Sequence, residues 1–218
     1  MNILSPNDFV RTNTTIATTP LLPEIRLHLA TEITPLWEAT EETLRESNVP
    51  PPYWAFAWPG GQAVARLVLD RPELVAGKSV LDFAAGTGLV GIAAAKAGAA
   101  RVQSCDIDRF ALAAIGVNAD LNGVAVKAVS ADLVGRDLPG IDVVLAGDVC
   151  YEKPMADRVT AWLRGVAATG TLVLLGDPGR AYVPTSGIER VGRYTVPTSL
   201  ELEDREARET VIWRLLPE

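Results

Sequence analysis

The chain has 218 residues, 48% of them hydrophobic, enough to bury the core of one large domain. That composition excludes collagen-like, disordered and disulfide-scaffold classes. Twenty Lys and Arg stand against 27 Asp and Glu, giving a net charge of −7 and a pI near 4.9, which argues against a broad phosphate-binding surface and so against a nucleic-acid partner. Cys105 and Cys150 lie far apart with no C-x-x-C spacing, so neither a zinc site nor a disulfide framework is signalled. His28 is the single histidine, which leaves Ser-His-Asp chemistry and a His-ligated metal without their usual parts and makes a structural role the simplest reading. No stretch reaches the apolar length of a bilayer span, and the first thirty residues lack a basic n-region followed by an apolar h-region. The expectation is a soluble, cytoplasmic, monomeric protein without membrane or metal.

Residues 1–78 read as an N-terminal extension that caps one integrated domain over residues 79–218. A Thr- and Pro-rich lead-in comes first, followed by a helix from Pro35 to about Glu46, an aromatic Pro-rich stretch from Val49 to Gly61, and a helix from Gln62 to Asp70. From Ser79 onward, short β-branched runs alternate with helical patterns, the signature of a parallel α/β sheet. The strands are expected at Val80–Phe83, Arg101–Cys105, Val126–Ser130, Asp142–Ala146 and Thr171–Leu175. Helical stripes fall at Leu89, Ile92, Ala93 and Lys96, then at Phe110, Ala114, Val117 and Leu121. A third runs through Val159, Trp162, Leu163 and Val166, with Pro154 in its first turn. Two β-rich stretches, Ile188–Val196 and Thr210–Leu216, read as a closing antiparallel hairpin.

Between the first of these strands and its helix stands Gly86-Thr87-Gly88-Leu89-Val90-Gly91, a literal G-x-G-x-x-G. Asp106, eighteen residues after Gly88 and ending the next strand, has the spacing to accept hydrogen bonds from ribose hydroxyls. NAD, FAD and adenosyl cofactors all fit that much. Asp82, four residues before Gly86, tips the choice, because a carboxylate at this turn repels a pyrophosphate and attracts a cation. S-adenosylmethionine has no phosphate and carries an amino group and a sulfonium. Carboxylates also recur at the expected strand ends, at Asp106, Asp132, Asp148 and Asp177, where open α/β sheets bind their ligands. Asp132 is the candidate beside the adenine.

These residues resemble the class I, seven-strand S-adenosylmethionine-dependent methyltransferases from Ser79 to the C-terminus. The resemblance implies a Rossmann-like sheet of order 3-2-1-4-5-7-6 with an antiparallel last strand. Three further motifs are similar to the lysine methyltransferases of the electron transfer flavoprotein β-subunit: Tyr53-Trp54-Ala55-Phe56-Ala57-Trp58-Pro59-Gly60-Gly61-Gln62, Asp148-Val149-Cys150-Tyr151, and Gly176-Asp177-Pro178-Gly179-Arg180. That likeness implies protein-lysine N-methylation with the flavoprotein β-subunit as substrate, Trp58, Asp82, Gly86, Gly88, Asp106 and Asp132 at the cofactor, and Asp148 and Tyr151 at the reacting lysine. Asp148 is expected to orient the incoming ammonium and Tyr151 to wall its channel. Cys150, next to a carboxylate and a phenol, is expected to be an inert thiol. The alternatives are methylation of another protein, such as a ribosomal protein, or of a small amine. An NAD-dependent oxidoreductase is disfavoured by Asp82 and by the 78 residues that precede the glycine strand.

Overall fold

A computed structural model describes residues 5–31, 34, 36, 51–199 and 203–217. Most of the helix expected over residues 35–46 lies outside the described residues. The chain opens with a short helix α1 (Pro6–Thr12), capped by the Ser5 side chain, and a hairpin of β1 (Thr15–Thr19) and β2 (Leu22–Leu29). The Thr-rich lead-in is thus ordered structure, which its composition did not suggest. Every second residue of Ile25-Arg26-Leu27-His28-Leu29 is apolar, and these three side chains enter the main core.

Helix α2 (Pro59–Asp70) starts three residues earlier than expected, because Pro59 occupies the first helical position, where its missing N–H is not needed. Seven strands follow in one sheet: β3 (Ser79–Phe83), β4 (Arg101–Asp106), β5 (Lys127–Ser130), β6 (Val143–Gly147), β7 (Leu172–Asp177), β8 (Ile188–Pro197) and β9 (Ala207–Leu215). Their spatial order is β5-β4-β3-β6-β7-β9-β8, with β9 antiparallel to both neighbours, as the resemblance implied. Crossovers are made by α3 (Leu89–Lys96), α4 (Arg109–Asn122) and α5 (Lys153–Ala168). Strand and helix positions after Ser79 agree with the sequence reading to within one or two residues at most ends.

One core contains Leu22, Ile25 and Leu27 of β2, Val64, Leu67 and Val68 of α2, and Leu89 and Ile92 of α3, all against β3, β6 and β7. Burying each such side chain stabilises the fold by roughly 1.5–3 kcal/mol. A second core packs α5 against the opposite sheet face through Val159, Leu163 and Val166. A third joins Val10, Trp54 and Phe110, with the Phe9 and Phe110 rings 4.5 Å apart. The chain runs outward in one direction through β4 and β5 and in the other through β6 and β7. This leaves a topological switch between the carboxyl ends of β3 and β6, the usual ligand crevice of such a sheet.

Candidate active site

The glycine loop lies at that switch. Gly86 and Gly88 adopt positive φ angles of 51° and 77°, and a Cβ on Gly88 would sit 3.1 Å from Ile115 Cα, so the tight turn requires glycine there. Two carboxylates hold the loop and the helix after it. Asp106 Oδ2 accepts from the Gly86 N–H at 2.9 Å, and its Oδ1 accepts from the Asp108 N–H at 3.0 Å. Asp82 Oδ2 accepts from the Gly91 N–H and the Ser104 hydroxyl, both at 2.9 Å. Burial pushes the Asp82 carboxyl up to about 7 despite both hydrogen bonds. Asp82 is almost wholly enclosed, and the structure places its carboxylate under α3 as a brace for the loop.

Asn118 completes this brace. Wholly buried in the middle of α4, it accepts at Oδ1 from the His28 N–H at 2.7 Å and donates from Nδ2 to the Thr87 carbonyl at 2.9 Å, tying the N-terminal hairpin to the glycine loop. His28 itself meets the Thr14 hydroxyl at 3.1 Å, in keeping with a structural role. Sequence reasoning passed over Asn118, although an amide set among Val117 and Ala119 on an apolar stripe was the signal. It also passed over Ile107, which directly follows Asp106 and is 78% exposed. An apolar side chain so open beside a strand-end carboxylate offers a face to a flat ligand ring. Asp132 is exposed, caps the Val134 N–H at 3.1 Å and sits 3.7 Å from Arg158, a surface pairing that contributes little to stability.

Across the switch, Asp148 follows β6 with a left-handed φ of 57°, a conformation that aspartate tolerates better than most residues. Its Oδ2 accepts from the Gly61 N–H at 2.8 Å, so the carboxylate caps the N-terminus of α2. That contact exists because three glycines let helix and strand ends touch. A Cβ on Gly60 would lie 2.3 Å from the Gly176 carbonyl oxygen, one on Gly147 would lie 2.5 Å from Gly61 N, and one on Gly176 would lie 2.3 Å from the Gly60 oxygen. The other carboxylate oxygen, Oδ1, is buried with no partner. Burial raises the Asp148 carboxyl to about 7 against the pull of the Gly61 and Gly60 N–H groups, and Asp177 raises it further.

Tyr151 is half exposed, with its ring 6.1 Å from Tyr53, and burial pushes its phenol up. Tyr53 in turn lies 6.2 Å from Trp58, whose indole N–H donates to the Tyr53 carbonyl at 2.8 Å. These three rings make a continuous aromatic wall. Trp58 also lines a cleft of about 240 Å³ between the β1–β2 turn and the end of β8. Trp54, by contrast, is core: its backbone covers the glycine loop, with a Cβ on Gly86 falling 3.7 Å from Trp54 Cα. Cys150 is fully buried and its thiol is raised to about 12, so it stays protonated.

The profile of the ribosomal protein L11 methyltransferase (PrmA) family matches residues 66–152. Among solved structures, ribosomal protein L11 methylase from Lactobacillus delbrueckii subsp. bulgaricus has a TM-score of 0.52 at 19% identity, covering 75% of this chain and 81% of that one. Magnesium protoporphyrin IX methyltransferase from Synechocystis PCC 6803, solved with bound SAM, has a TM-score of 0.50 at 23% identity over 70% of this chain and 76% of that one. Both show the shared fold. Closer in sequence is the electron transfer flavoprotein beta subunit lysine methyltransferase of Danio rerio, 38% identical over 95% of this chain and 82% of its own length. The human protein of the same name is 35% identical over 96% of this chain and 81% of its own length. With the glycine loop, the capped Asp148 and the closing hairpin all in place, the chain belongs to the family of electron transfer flavoprotein β-subunit lysine methyltransferases.

Proposed function

We propose that the protein transfers methyl groups from S-adenosylmethionine to lysine side chains of the electron transfer flavoprotein β-subunit. The observation that carries this reading is the pair of carboxylates facing each other across the switch. Asp106 is anchored at the glycine loop, and Asp148 is pinned by α2 with one buried oxygen left without a partner. The loop fits a phosphate-free adenosyl ligand. Its Gly86 and Gly91 N–H groups already point at carboxylates, so the amides that would cradle a pyrophosphate are occupied, and two negative charges stand beside them. Asp106 has lone pairs left for ribose hydroxyls, and Ile107 supplies an apolar face for the adenine.

When bound, the donor supplies an electrophilic methyl on a sulfonium. What the chain must do is bring an uncharged lysine nitrogen into line with it. A free lysine has a pKa of about 10.4, so shedding its proton at neutral pH costs roughly 4 kcal/mol. A narrow, partly desolvated passage walled by Tyr53, Tyr151 and Trp58 lowers that cost by disfavouring the ammonium. Asp148 Oδ1 accepts a hydrogen bond from the incoming amine and fixes its direction, and the proton leaves to water.

The PrmA match covers residues 66–152, the glycine-loop and β6 half of the core, and adds nothing that redirects the substrate. The reading includes a cytoplasmic monomer acting on a protein rather than on nucleic acid, which the net charge of −7 supports. Among the described residues, no helix is long and apolar enough to cross a membrane. The test is to incubate the purified protein and methyl-labelled donor with a lysate from its own organism. Label is expected on a protein band whose digest contains methyl-lysine from the flavoprotein β-subunit, and label confined to RNA would refute the reading.

A further inference from the structure

The Gly176-Asp177-Pro178-Gly179-Arg180 motif has no role in the account so far, yet it ends β7 beside the reacting position. Gly147 of β6 pairs with Gly176 of β7, so Asp148 and Asp177 are the next residues on two neighbouring parallel strands. Asp177 is 1% exposed. Its Oδ1 accepts from the Gly179 N–H at 2.7 Å and the Arg180 N–H at 2.6 Å, which orients the carboxylate rigidly. Its Oδ2 is buried and has no partner. Two adjacent strand ends therefore each present one fixed, buried, unpaired acceptor oxygen, Asp148 Oδ1 and Asp177 Oδ2. Both carboxylates act on the same buried thiol, Cys150.

The arginine in the motif does not fill the gap. Arg180 gives its guanidinium NH2 to Glu203 Oε1, and Arg208 Nε donates to Glu203 Oε2 at 3.0 Å. One buried glutamate thus takes up two cations. The group Asp148, Asp177, Glu203, Arg180 and Arg208 carries three negative charges and two positive ones. Buried charges are normally paired, so this arrangement is short by one cation. Among the described residues, none supplies it.

We infer that Asp177 is a second catalytic carboxylate, which receives the substrate lysine together with Asp148 and completes the charge of the cluster only when that lysine is bound. The inference rests on the lysine-methyltransferase reading and adds to it a residue and a geometry. The arriving ammonium supplies the missing positive charge. Once it has released one proton to solvent, two N–H bonds remain, one for each free carboxylate oxygen, and the lone pair is left pointing away from both. In the transfer, that lone pair forms the new N–C bond, the S–C electron pair stays on sulfur to give the neutral thioether, and the methylated ammonium later sheds its surplus proton to water. A single acceptor would leave the amine free to turn, whereas two fix the direction of attack.

The test is Asp177→Asn, which keeps an oxygen to accept from the Gly179 and Arg180 N–H groups but removes the charge. Purified flavoprotein β-subunit is the substrate, and wild type is assayed alongside. The expected result is a rise of about tenfold or more in KM for the protein substrate together with a fall in kcat, while affinity for S-adenosylhomocysteine stays within about twofold. A folded variant with wild-type KM and kcat would overturn the inference while leaving the function intact, and an inactive wild type would overturn both. If the variant does not fold, a crystal structure of wild type with S-adenosylhomocysteine and a peptide containing the methylated lysine decides. The lysine nitrogen is expected within about 3 Å of an oxygen of each aspartate, and a nitrogen out of reach of Asp177 would overturn the assignment.

Discussion

Replacing Gly60 by alanine should break the site, whereas the same change at Gly61 should not. The Gly60 Cβ would lie 2.3 Å from the Gly176 carbonyl oxygen, 2.6 Å from Asp148 Oδ2 and 2.7 Å from Asp148 N, contacts that real Cβ atoms do not make. Two of those neighbours are backbone, so the start of α2 must move away from β6 and β7. Overpacking of this kind costs about 1–3 kcal/mol. Lifting the Gly61 N–H off the Asp148 carboxylate forfeits a charged hydrogen bond worth about 1.5–3 kcal/mol. The combined loss of roughly 2–6 kcal/mol corresponds to a fall of some 4–20 °C in Tm for a protein of this size, and catalysis should drop further because Asp148 loses its orientation. At Gly61 the nearest atom to a new Cβ is Val90 Cγ2 at 3.8 Å, an ordinary contact, and alanine gains about 1 kcal/mol of helix propensity. Differential scanning calorimetry and methyl-transfer rates on the two variants give the comparison directly. Equal Tm and equal activity for the pair would refute the claim that α2 is pressed against Asp148 through Gly60.

Asp106→Ala removes the anchor of Gly86 and the expected ribose acceptor, so affinity for S-adenosylhomocysteine by calorimetry should fall by about two orders of magnitude with little change in Tm. Ile107→Ser should weaken the same affinity about tenfold, since it removes an apolar face without touching a hydrogen bond; unchanged binding would exclude Ile107 from the adenine site. Asp82 is held protonated up to about 7, well above its usual value of 3.8. Native protein therefore binds a proton there that the unfolded chain has lost, and this contribution to stability is present at low pH and disappears as pH rises through 7. Asp82→Asn mimics the protonated form, so it should match wild type at pH 5 and exceed it by up to about 4 kcal/mol above pH 8 in urea denaturation of cofactor-free protein. A variant less stable than wild type at every pH would contradict this. For catalysis, Asp148 must be ionised, so kcat/KM should decline as pH falls below about 7, and the acid limb should vanish in Asp148→Asn along with most of the rate.

The sheet was largely legible before its geometry was known, because each parallel strand from Val80 to Leu175 is a short apolar run separated by a helical stripe. The glycine loop announced itself by spacing. The N-terminal hairpin escaped because Thr, Pro20 and Pro23 dominate its composition, although the alternation Ile25, Leu27, Leu29 was there to be read. Asp82 was legible as functional but for a different reason. A carboxylate near a turn suggests a cation, and only the fold shows the Gly91 N–H and Ser104 closing over it. The partners of Asp148 could not have been inferred from local sequence. Gly61 is 87 residues away, and the contact depends on three glycines from three separate segments meeting at one point. Asn118 belongs to the same class, since its two partners come from β2 and from the glycine loop.

The most direct test of the central claim is peptide-mapped mass spectrometry of purified electron transfer flavoprotein incubated with S-adenosylmethionine and either wild type or Asp148→Ala. Wild type should place methyl groups on lysine side chains of the β-subunit, and Asp148→Ala should place none while binding S-adenosylhomocysteine nearly as well as wild type. Methylation by the alanine variant at a rate near that of wild type, or no methyl-lysine in the β-subunit with wild type, would contradict the account.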